Sequence, residues 1–177
     1  MDRDKKQGRS VQFNTKRLVL LALMLSLAVV LSIIESNIPI PIPIPGVRLG
    51  LANIIIMFAL FHLKLSDALT LAVLKSAFVM LTRGPMAGTL SLTGGLFALA
   101  AMTLIISLPK NSGTYLLTGV AGAVFHNIGQ IIAASLIMRT FLWPYLPVLL
   151  VAGILTGIAT SVLLKMTYPA FMRLRLK

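Results

Sequence analysis

Residues 18–35 read LVLLALMLSLAVVLSIIE, an apolar run that ends at a single carboxylate, Glu35. The run is long enough to cross a bilayer as one helix. A signal peptide would have a shorter apolar stretch and a small-residue cleavage site. Here Ser36, Asn37 and a proline repeat follow directly instead. The stretch therefore predicts an uncleaved first transmembrane helix.

Five further apolar runs follow, separated by short polar or Pro/Gly-containing segments: 48–63, 66–82, 92–108, 115–138 and 145–164. The second and third are near the lower length limit for a span, but His62, Lys64, Ser66 and Asp67 supply a polar turn between them. The composition agrees, since 58% of the residues are hydrophobic, 11% are charged and the mean hydropathy is +0.96. A soluble domain would have more polar surface. We predict an all-α integral membrane protein, a single bundle of about six transmembrane helices over 18–165 between basic tails at 1–17 and 166–177.

The net charge of +12 is distributed at the ends of the apolar runs. A nucleic-acid-binding protein would gather its basic residues on one water-facing surface, so this distribution excludes nucleic acid as a partner. With the N-terminus inside, the two tails, Lys64, Lys110 and Lys165 place twelve Lys and Arg residues on the cytoplasmic side, and Arg48, Arg83 and Arg139 place three outside. Because cytoplasmic segments hold the excess of basic residues, both termini are predicted to be cytoplasmic.

Lys75 lies near the middle of the third span. A charge at the centre of a membrane helix costs about 2.5–3.5 kcal/mol by insertion scales, so it requires a partner or a function. One interpretation is a lysine bonded to helix carbonyls or to a nearby polar side chain. The other, which we favour, is a lysine that contacts a ligand.

The fifth span contains FHNIGQ at residues 125–130. His126 and Gln130 are one helical turn apart, and Asn127 and Gln130 are three residues apart, so the three side chains are predicted to share one flank. Hydrogen bonding between helices is the alternative interpretation. The residues do not favour a metal site, because the only other histidine, His62, is in a predicted cytoplasmic turn and there is no cysteine.

Further polar residues lie near the predicted outer ends of the spans, among them Glu35, Arg48, Asn53 and Arg83. If the helices form one bundle, Lys75, Arg48 and Arg83 would make an outward-opening pocket with excess positive charge, suited to an anionic ligand. Arg48 and Arg83 have an equally open interpretation as anchors at the membrane interface. The proline-rich strap at 38–46 is predicted to be extended, either as a lid over the pocket or as a rigid connector.

Small residues recur at a spacing of four, which allows helix backbones to approach closely. Ala22 and Ser26 form one such pair in the first span, and Ala28 and Ser32 form another. Gly153 and Gly157 repeat the spacing in the last span.

The arrangement resembles the substrate-binding S components of energy-coupling factor (ECF) vitamin transporters, and more specifically the Gx transporter family. The stretches that carry the resemblance are the proline strap followed by PGVRLGLANI, LTRGPMAGTLSLTGG at 81–95 and GAVFHNIGQ at 122–130. The resemblance implies a multi-pass protein of a prokaryotic cytoplasmic membrane that captures a small-molecule substrate without a cofactor. It also implies a transmembrane coupling (T) component and two ATPase subunits as partners, with the coupling component docking at Ala22, Ser26 and Ala28.

The same family is often labelled heptaprenyl diphosphate synthase component I, which implies a link to isoprenoid metabolism. Prenyl diphosphate synthases hold Mg²⁺ through clustered aspartates. The chain has four acidic residues and no such cluster, and it has no ATP-binding glycine loop. We therefore predict no catalytic residues and no prenyl transfer by this chain alone. The alternative function is a non-catalytic membrane subunit associated with isoprenoid, heptaprenyl diphosphate or quinone synthesis.

Overall fold

The computed structural model describes residues 15–38, 47–108 and 114–175. The described residues contain no strand and form these elements: α1 (Thr15–Ser36), α2 (Asn53–His62), α3 (Leu65–Arg83), α4 (Pro85–Ser107), α5 (Thr114–Met138), a 3₁₀ turn (Trp143–Tyr145) and α6 (Leu146–Arg175). Five of the helices are long and apolar enough to cross a membrane, and α2 is shorter. The predicted all-α membrane bundle of about six helices is confirmed. The chain is a multi-pass membrane protein.

The predicted second span, 48–63, differs from the structure. Residues 47–52 are not helical, and α2 has ten residues, which is about 15 Å of helix and half the thickness of a bilayer core. Gly50 at φ 89° breaks the helix on this side. Non-helical backbone at membrane depth is tolerated where it is buried in protein or lines a cavity. The N-terminal end of α2 therefore lies inside the bundle.

The start of α4 also differs from the predicted 92. The helix begins at Pro85, in the first turn where proline is favoured, directly after Gly84 at φ 91°. At the other end of the bundle α6 continues to Arg175, beyond the predicted 164. Most of the proline strap and the first fourteen residues lie outside the described residues.

The helices α3, α4, α5 and α6 pack as successive neighbours, whereas α1 packs mainly on α2 and α3. The contact between α5 and α6 is close because both helices have glycine there. A Cβ on Gly157 would lie 2.4 Å from the Val120 Cα. The predicted close approach at Gly157 is confirmed.

The larger apolar core lies toward the predicted cytoplasmic side, where α2 packs against α1, α3 and α4. Its largest members on these helices include Met24, Ile56, Phe58, Leu71 and Met102. A second, smaller cluster lies near the start of α4, with Leu90, Ile131 and Leu149 fully buried. Burial of these side chains positions the polar residues of α1, α3 and α5 described next.

Candidate functional site

A polar cavity lies within the bundle, lined by the end of α1, the segment that precedes α2, and α3, α4 and α5. Its volume is about 20 Å³, room for roughly one water molecule. The lining residues are Ser32, Glu35, Arg48, Gly50, Ala52, Lys75, Val79, Arg83, Ala87, Ser91, His126 and Gln130. Residues distant in sequence thus meet at the place where the backbone before α2 is not helical.

Glu35, the carboxylate that ends the first apolar run, is 2% exposed and lies at the N-terminal end of α2. Its Oε1 accepts a hydrogen bond from the Gly50 N–H, and the Leu51 backbone N–H also bonds the carboxylate. The cap residue of α2 is Ala52, which has no side chain able to accept these donors. A negative charge is favourable at a helix N-terminus, so Glu35 acts as the cap that α2 lacks.

Gly50 allows the backbone before α2 to turn beside the cavity, which it lines. At φ 89° it is in a conformation that side-chain-bearing residues rarely adopt. A Cβ here would lie 2.8 Å from the Asn53 Nδ2 and 2.9 Å from the His126 Cδ2. The position therefore requires glycine both for its backbone and for its neighbours.

Lys75 is 3% exposed and donates from Nζ to the Asn53 Oδ1 at 3.2 Å. Within the described residues, no carboxylate oxygen lies within 4.0 Å of this amine, since the one ion pair there joins Arg17 and Asp67. Both interpretations of Lys75 thus have support, because the lysine bonds a neighbouring polar side chain and also lines the polar cavity. Its charge has a hydrogen-bond acceptor but no close counter-ion.

Gln130 joins the segment before α2 to the ring of His126. Its Oε1 accepts from the Arg48 backbone N–H at 2.8 Å, which fixes Nε2 as the amide nitrogen, 2.6 Å from the His126 Nε2. The amide can only donate, so the neutral ring accepts at Nε2 and carries its proton on Nδ1. The ring packs on α4 at Gly94, where a Cβ would lie 2.7 Å from Nδ1.

Arg48 and Arg83 are both partly buried and line the polar cavity. Arg83 donates from one terminal nitrogen to the Ser32 carbonyl oxygen at 2.6 Å, which ties the end of α3 to α1. Its other terminal nitrogen, Nη1, and the Arg48 Nε are buried without a partner. Both arginines therefore keep donor capacity inside the cavity.

The structure brings together most of the residues predicted to bind substrate. Arg48, Lys75, Arg83, His126 and Gln130 line the cavity, and Asn53 bonds Lys75 beside it.

Asn127 lies elsewhere, and the predicted single flank on α5 is wrong for it. The side chain is fully buried and donates to the Leu149 carbonyl oxygen at 2.7 Å, on α6. Asn127 is one residue, and so about 100° around the helix, from His126. It connects two helices, as the alternative interpretation of this motif expected.

Seven of the twelve lining residues are outside the predicted binding set, and three of these seven have polar side chains: Ser32, Glu35 and Ser91. From the sequence, Glu35 is a lone outer carboxylate and Ser32 is a small packing residue. The signal for Glu35 was available, because a buried carboxylate at the end of a span also requires a partner. Its pairing with Gly50 depends on the chain reversal between α1 and α2, which composition does not reveal.

The three residues predicted to contact a coupling partner have different environments. Ala22 and Ser26 are exposed on α1, and the Ser26 hydroxyl donates to the Ala22 carbonyl oxygen at 2.9 Å. Ala28 is 1% exposed and faces the inside of the bundle. Ala22 and Ser26 are therefore accessible on the outer surface of α1, whereas Ala28 is not.

A second charged contact lies at the predicted cytoplasmic end of α1. Arg17 Nη2 donates to the Asp67 Oδ1 at 2.5 Å, and the Asp67 Oδ2 accepts from the Lys64 backbone N–H at 3.2 Å. Asp67 therefore pairs with α1 and caps α3 at once. Over the described ranges, no group of three or more His, Cys, Asp or Glu residues could hold a metal ion.

Comparison with known proteins adds one finding. A family model described as heptaprenyl diphosphate synthase component I matches residues 24–167, from within α1 to within α6. No curated protein matches the chain. No solved structure matches it either.

Proposed function

This chain belongs to the family described as heptaprenyl diphosphate synthase component I, and we propose that it is the substrate-capturing membrane subunit of an ECF-type uptake transporter. Its substrate is a small polar or anionic compound taken from outside the cell. The observation that carries the proposal is the polar cavity, in which three cationic side chains and one carboxylate meet inside a membrane protein. Intramembrane ionisable groups that face a cavity are typical of substrate pathways.

The half-length helix α2 supports a ligand site over a plain scaffold. In membrane transporters, substrate sites often lie where a helix is interrupted and its N-terminal end points at an anionic group. Here the N-terminal end of α2 already holds the carboxylate of Glu35, with Lys75 bonded to the first residue of the helix. A scaffold has no need for these charged groups, each of which carries a desolvation cost.

Energy for uptake would come from partner subunits, because the sequence has no ATP-binding glycine loop. We assign the coupling contact to the outward side of α1, around Ala22 and Ser26, since small exposed residues let another helix approach closely. This surface lies on the helix that packs least into the rest of the bundle.

Co-purification tests the transport proposal. We expect a transmembrane coupling protein and two ATPases to be retained with the gently solubilised chain. Ala22→Trp and Ser26→Trp should abolish that retention while leaving ligand binding intact. Ala159→Trp is the matched control, because Ala159 is an exposed alanine on α6. Survival of the complex in both α1 variants would contradict the assigned contact.

The printed family name favours a second candidate, a non-catalytic membrane subunit for an isoprenoid or quinone enzyme. The chain has no aspartate cluster for a metal-bound diphosphate, so catalysis would belong to the partner. Retention of a soluble synthase in place of the two ATPases would favour this candidate. Mass spectrometry of small molecules retained by the purified chain would identify the ligand in either case.

Capture from outside requires the end of α3 to face outward. The cysteine-free sequence allows single cysteines to report the topology. Cysteines at Gly46, Pro85 and Thr140 should react with an impermeant thiol reagent added to intact cells, and cysteines at Ser66 and Ser112 should not. The reverse pattern would contradict the N-in, C-in topology.

A further inference from the structure

We propose that the polar cavity binds an oxyanion that carries two negative charges, and that Glu35 sets this charge preference. The inference deepens the proposed function, since it treats the same cavity as the ligand site. The shared chemistry is that of a phosphate or sulfate group or of a short dicarboxylate. Two independent properties of the described residues support it, the charge of the lining and the kind of hydrogen-bonding atom left without a partner.

The first property is the formal charge of the lining. With each group counted in its charged form, Arg48, Lys75 and Arg83 contribute three positive charges and the Glu35 carboxylate contributes one negative charge. The lining therefore has an excess of two positive charges. An uncompensated charge is costly in a low-dielectric interior, and a ligand with two negative charges would neutralise the excess.

The second property is the identity of the unpaired atoms. Three buried side-chain nitrogens around the cavity have no hydrogen-bond partner, namely the Arg48 Nε, Asn53 Nδ2 and Arg83 Nη1. All three are N–H donors. The His126 Nδ1 is also a donor, because Gln130 occupies the other ring nitrogen, but it bonds the Gly94 backbone.

The acceptors of the same residues are already used. The Glu35 Oε1, Asn53 Oδ1 and Gln130 Oε1 each accept a hydrogen bond from Gly50, Lys75 or Arg48. Each of these oxygens thus already accepts one hydrogen bond, and an amine would also meet three like charges. Carboxylate, phosphate and sulfate oxygens accept without donating, so they match the unpaired donors.

This bias toward donors is specific to the cavity. The other buried side-chain atoms without partners in the described part of the chain are the Thr118 and Ser135 hydroxyls and the Asn127 carbonyl oxygen. None of these three residues lines the cavity. Of the three unpaired nitrogen donors, two belong to the lining residues Arg48 and Arg83, and the third belongs to Asn53, which bonds the lining residue Lys75.

An oxyanion requires the cavity to widen, because about 20 Å³ admits little more than one water molecule. Arg48 and Arg83 are the groups best able to move, since each is partly exposed and ends a long, flexible stem. Lys75 and His126 are almost fully buried. We therefore place the ligand between the two mobile arginines and the fixed pair on α3 and α5.

Thermal unfolding of the purified full chain in detergent tests the inference with defined probes. Sodium sulfate, phosphate at pH 8 and succinate are each compared with sodium chloride at equal ionic strength. At about ten times its dissociation constant, a bound dianion should raise the unfolding midpoint by roughly 3–6 °C. Comparing sulfate and phosphate with succinate distinguishes a tetrahedral oxyanion from a dicarboxylate.

Variants separate site binding from the general stabilisation that sulfate and phosphate give any protein. Arg48→Gln and Arg83→Gln should each lose most of the dianion-specific rise. Arg139→Gln is the matched control, because Arg139 is exposed and does not line the cavity. Lys75→Met provides a further variant that removes a buried charge, should an arginine variant fail to fold.

Glu35→Gln tests the charge assignment directly. Glutamine keeps an oxygen for the Gly50 N–H and removes the one negative charge of the lining, so the excess becomes three. Dianion affinity should then increase, by about tenfold for a favourable change of 1.4 kcal/mol.

The inference is overturned if the wild type shows no rise, if the arginine and Lys75 variants behave like Arg139→Gln, or if 1,4-diaminobutane stabilises as much as succinate. The outcome is independent of co-purification. A dianion site in a chain that retains no ATPases would leave the inference standing and remove the transport proposal. If the chain retains the transport complex but fails every dianion test, the transport proposal stands and the inference is removed.

Discussion

The two ends of α1 are attached to the bundle by charged groups in opposite ways. At the predicted cytoplasmic end, Arg17 and Asp67 form an ion pair, and the second oxygen of Asp67 caps α3. At the other end, Glu35 bonds backbone N–H groups, and the nearby Arg48, Lys75 and Arg83 have no ion pair with it within 4.0 Å. The charged groups at the Arg17 end of α1 neutralise each other, whereas the groups around Glu35 retain an excess of positive charge.

Under the proposed function, the cluster at Arg17 and Asp67 is structural, and the cluster around Glu35 binds a ligand. A charge pair that satisfies itself at a membrane edge attaches one helix to another at little cost. Three cations around a small cavity with three unpaired nitrogen donors are a costly arrangement for folding alone. Substitutions at the two ends should therefore change different properties, binding at the cavity and stability at the Arg17–Asp67 pair.

The largest effect is expected from Gly50→Ala. Both Gly50 and Gly84 have φ near 90°, where an added side chain strains the backbone by about 1–3 kcal/mol. At Gly50 the new Cβ would also crowd Asn53 and His126, for roughly 1–3 kcal/mol more. We expect Gly50→Ala to abolish the sulfate-dependent rise in the unfolding midpoint and to lower stability.

Gly84→Ala is the matched control for this prediction, because nothing lies within 4 Å of its added Cβ. Gly84→Ala should lower stability by the backbone strain alone and keep the sulfate-dependent rise in the unfolding midpoint. Equal behaviour of the two alanine variants would mean that the space at Gly50 is unimportant, and the cavity would lose its most sterically constrained wall.

The next largest effect is expected from Lys75→Met, which matches the lysine stem and removes the buried charge. Charge-assisted hydrogen bonds contribute about 1.5–3 kcal/mol each, so ligand affinity should fall on the order of tenfold to a hundredfold. Folding should be preserved, and stability is measured in the same melting experiment. Unchanged affinity would remove Lys75 from the site, and loss of folding would make it structural.

The apolar runs predicted the bundle because length and hydropathy together decide whether a helix can span a bilayer. They gave the wrong start for α2, because the positive φ of Gly50 prevents the helix from beginning earlier and Glu35 caps its N-terminal end. Hydropathy is insensitive to both features. The residues of α2 are as apolar as those of a helix that spans the membrane. The missing information was the contact between residues 15 positions apart.

The site was partly predictable for a related reason. Lys75, His126 and Gln130 are polar residues within apolar spans, so their cost alone indicated a function or a partner. Which partner each has depends on the rotation of its helix, which spacing fixes only relative to its own neighbours. His126 and Gln130 share a face one turn apart, whereas Asn127 faces α6.

A smaller effect, on stability alone, is expected from Asn127→Leu. Leucine has a similar volume but cannot donate to the Leu149 carbonyl oxygen, which would be left buried without this bond. The free energy of unfolding should fall by about 1–3 kcal/mol, and sulfate affinity should remain within twofold. Gln130→Leu, one turn away on the cavity side, should weaken sulfate binding. Loss of binding in Asn127→Leu, with the fold intact, would return Asn127 to the site.

The smallest effect is expected from Asp67→Asn, the counterpart of Glu35→Gln at the other end of α1. Asp67 accepts from Arg17 with Oδ1 and from the Lys64 N–H with Oδ2, and asparagine keeps only one of these two oxygens, so the change removes the charge of the pair and one of its two hydrogen bonds. The Arg17 side chain is 41% exposed and the Asp67 side chain is 6% exposed, so solvent screens the pair from one side and stability should fall by about 1 kcal/mol. Sulfate affinity, titrated through the unfolding midpoint, should not change, because Asp67 lies outside the cavity lining. If Asp67→Asn alters sulfate affinity while Arg139→Gln does not, the two ends of α1 are energetically coupled, and the Arg17–Asp67 pair would contribute to how the chain responds to an occupied cavity.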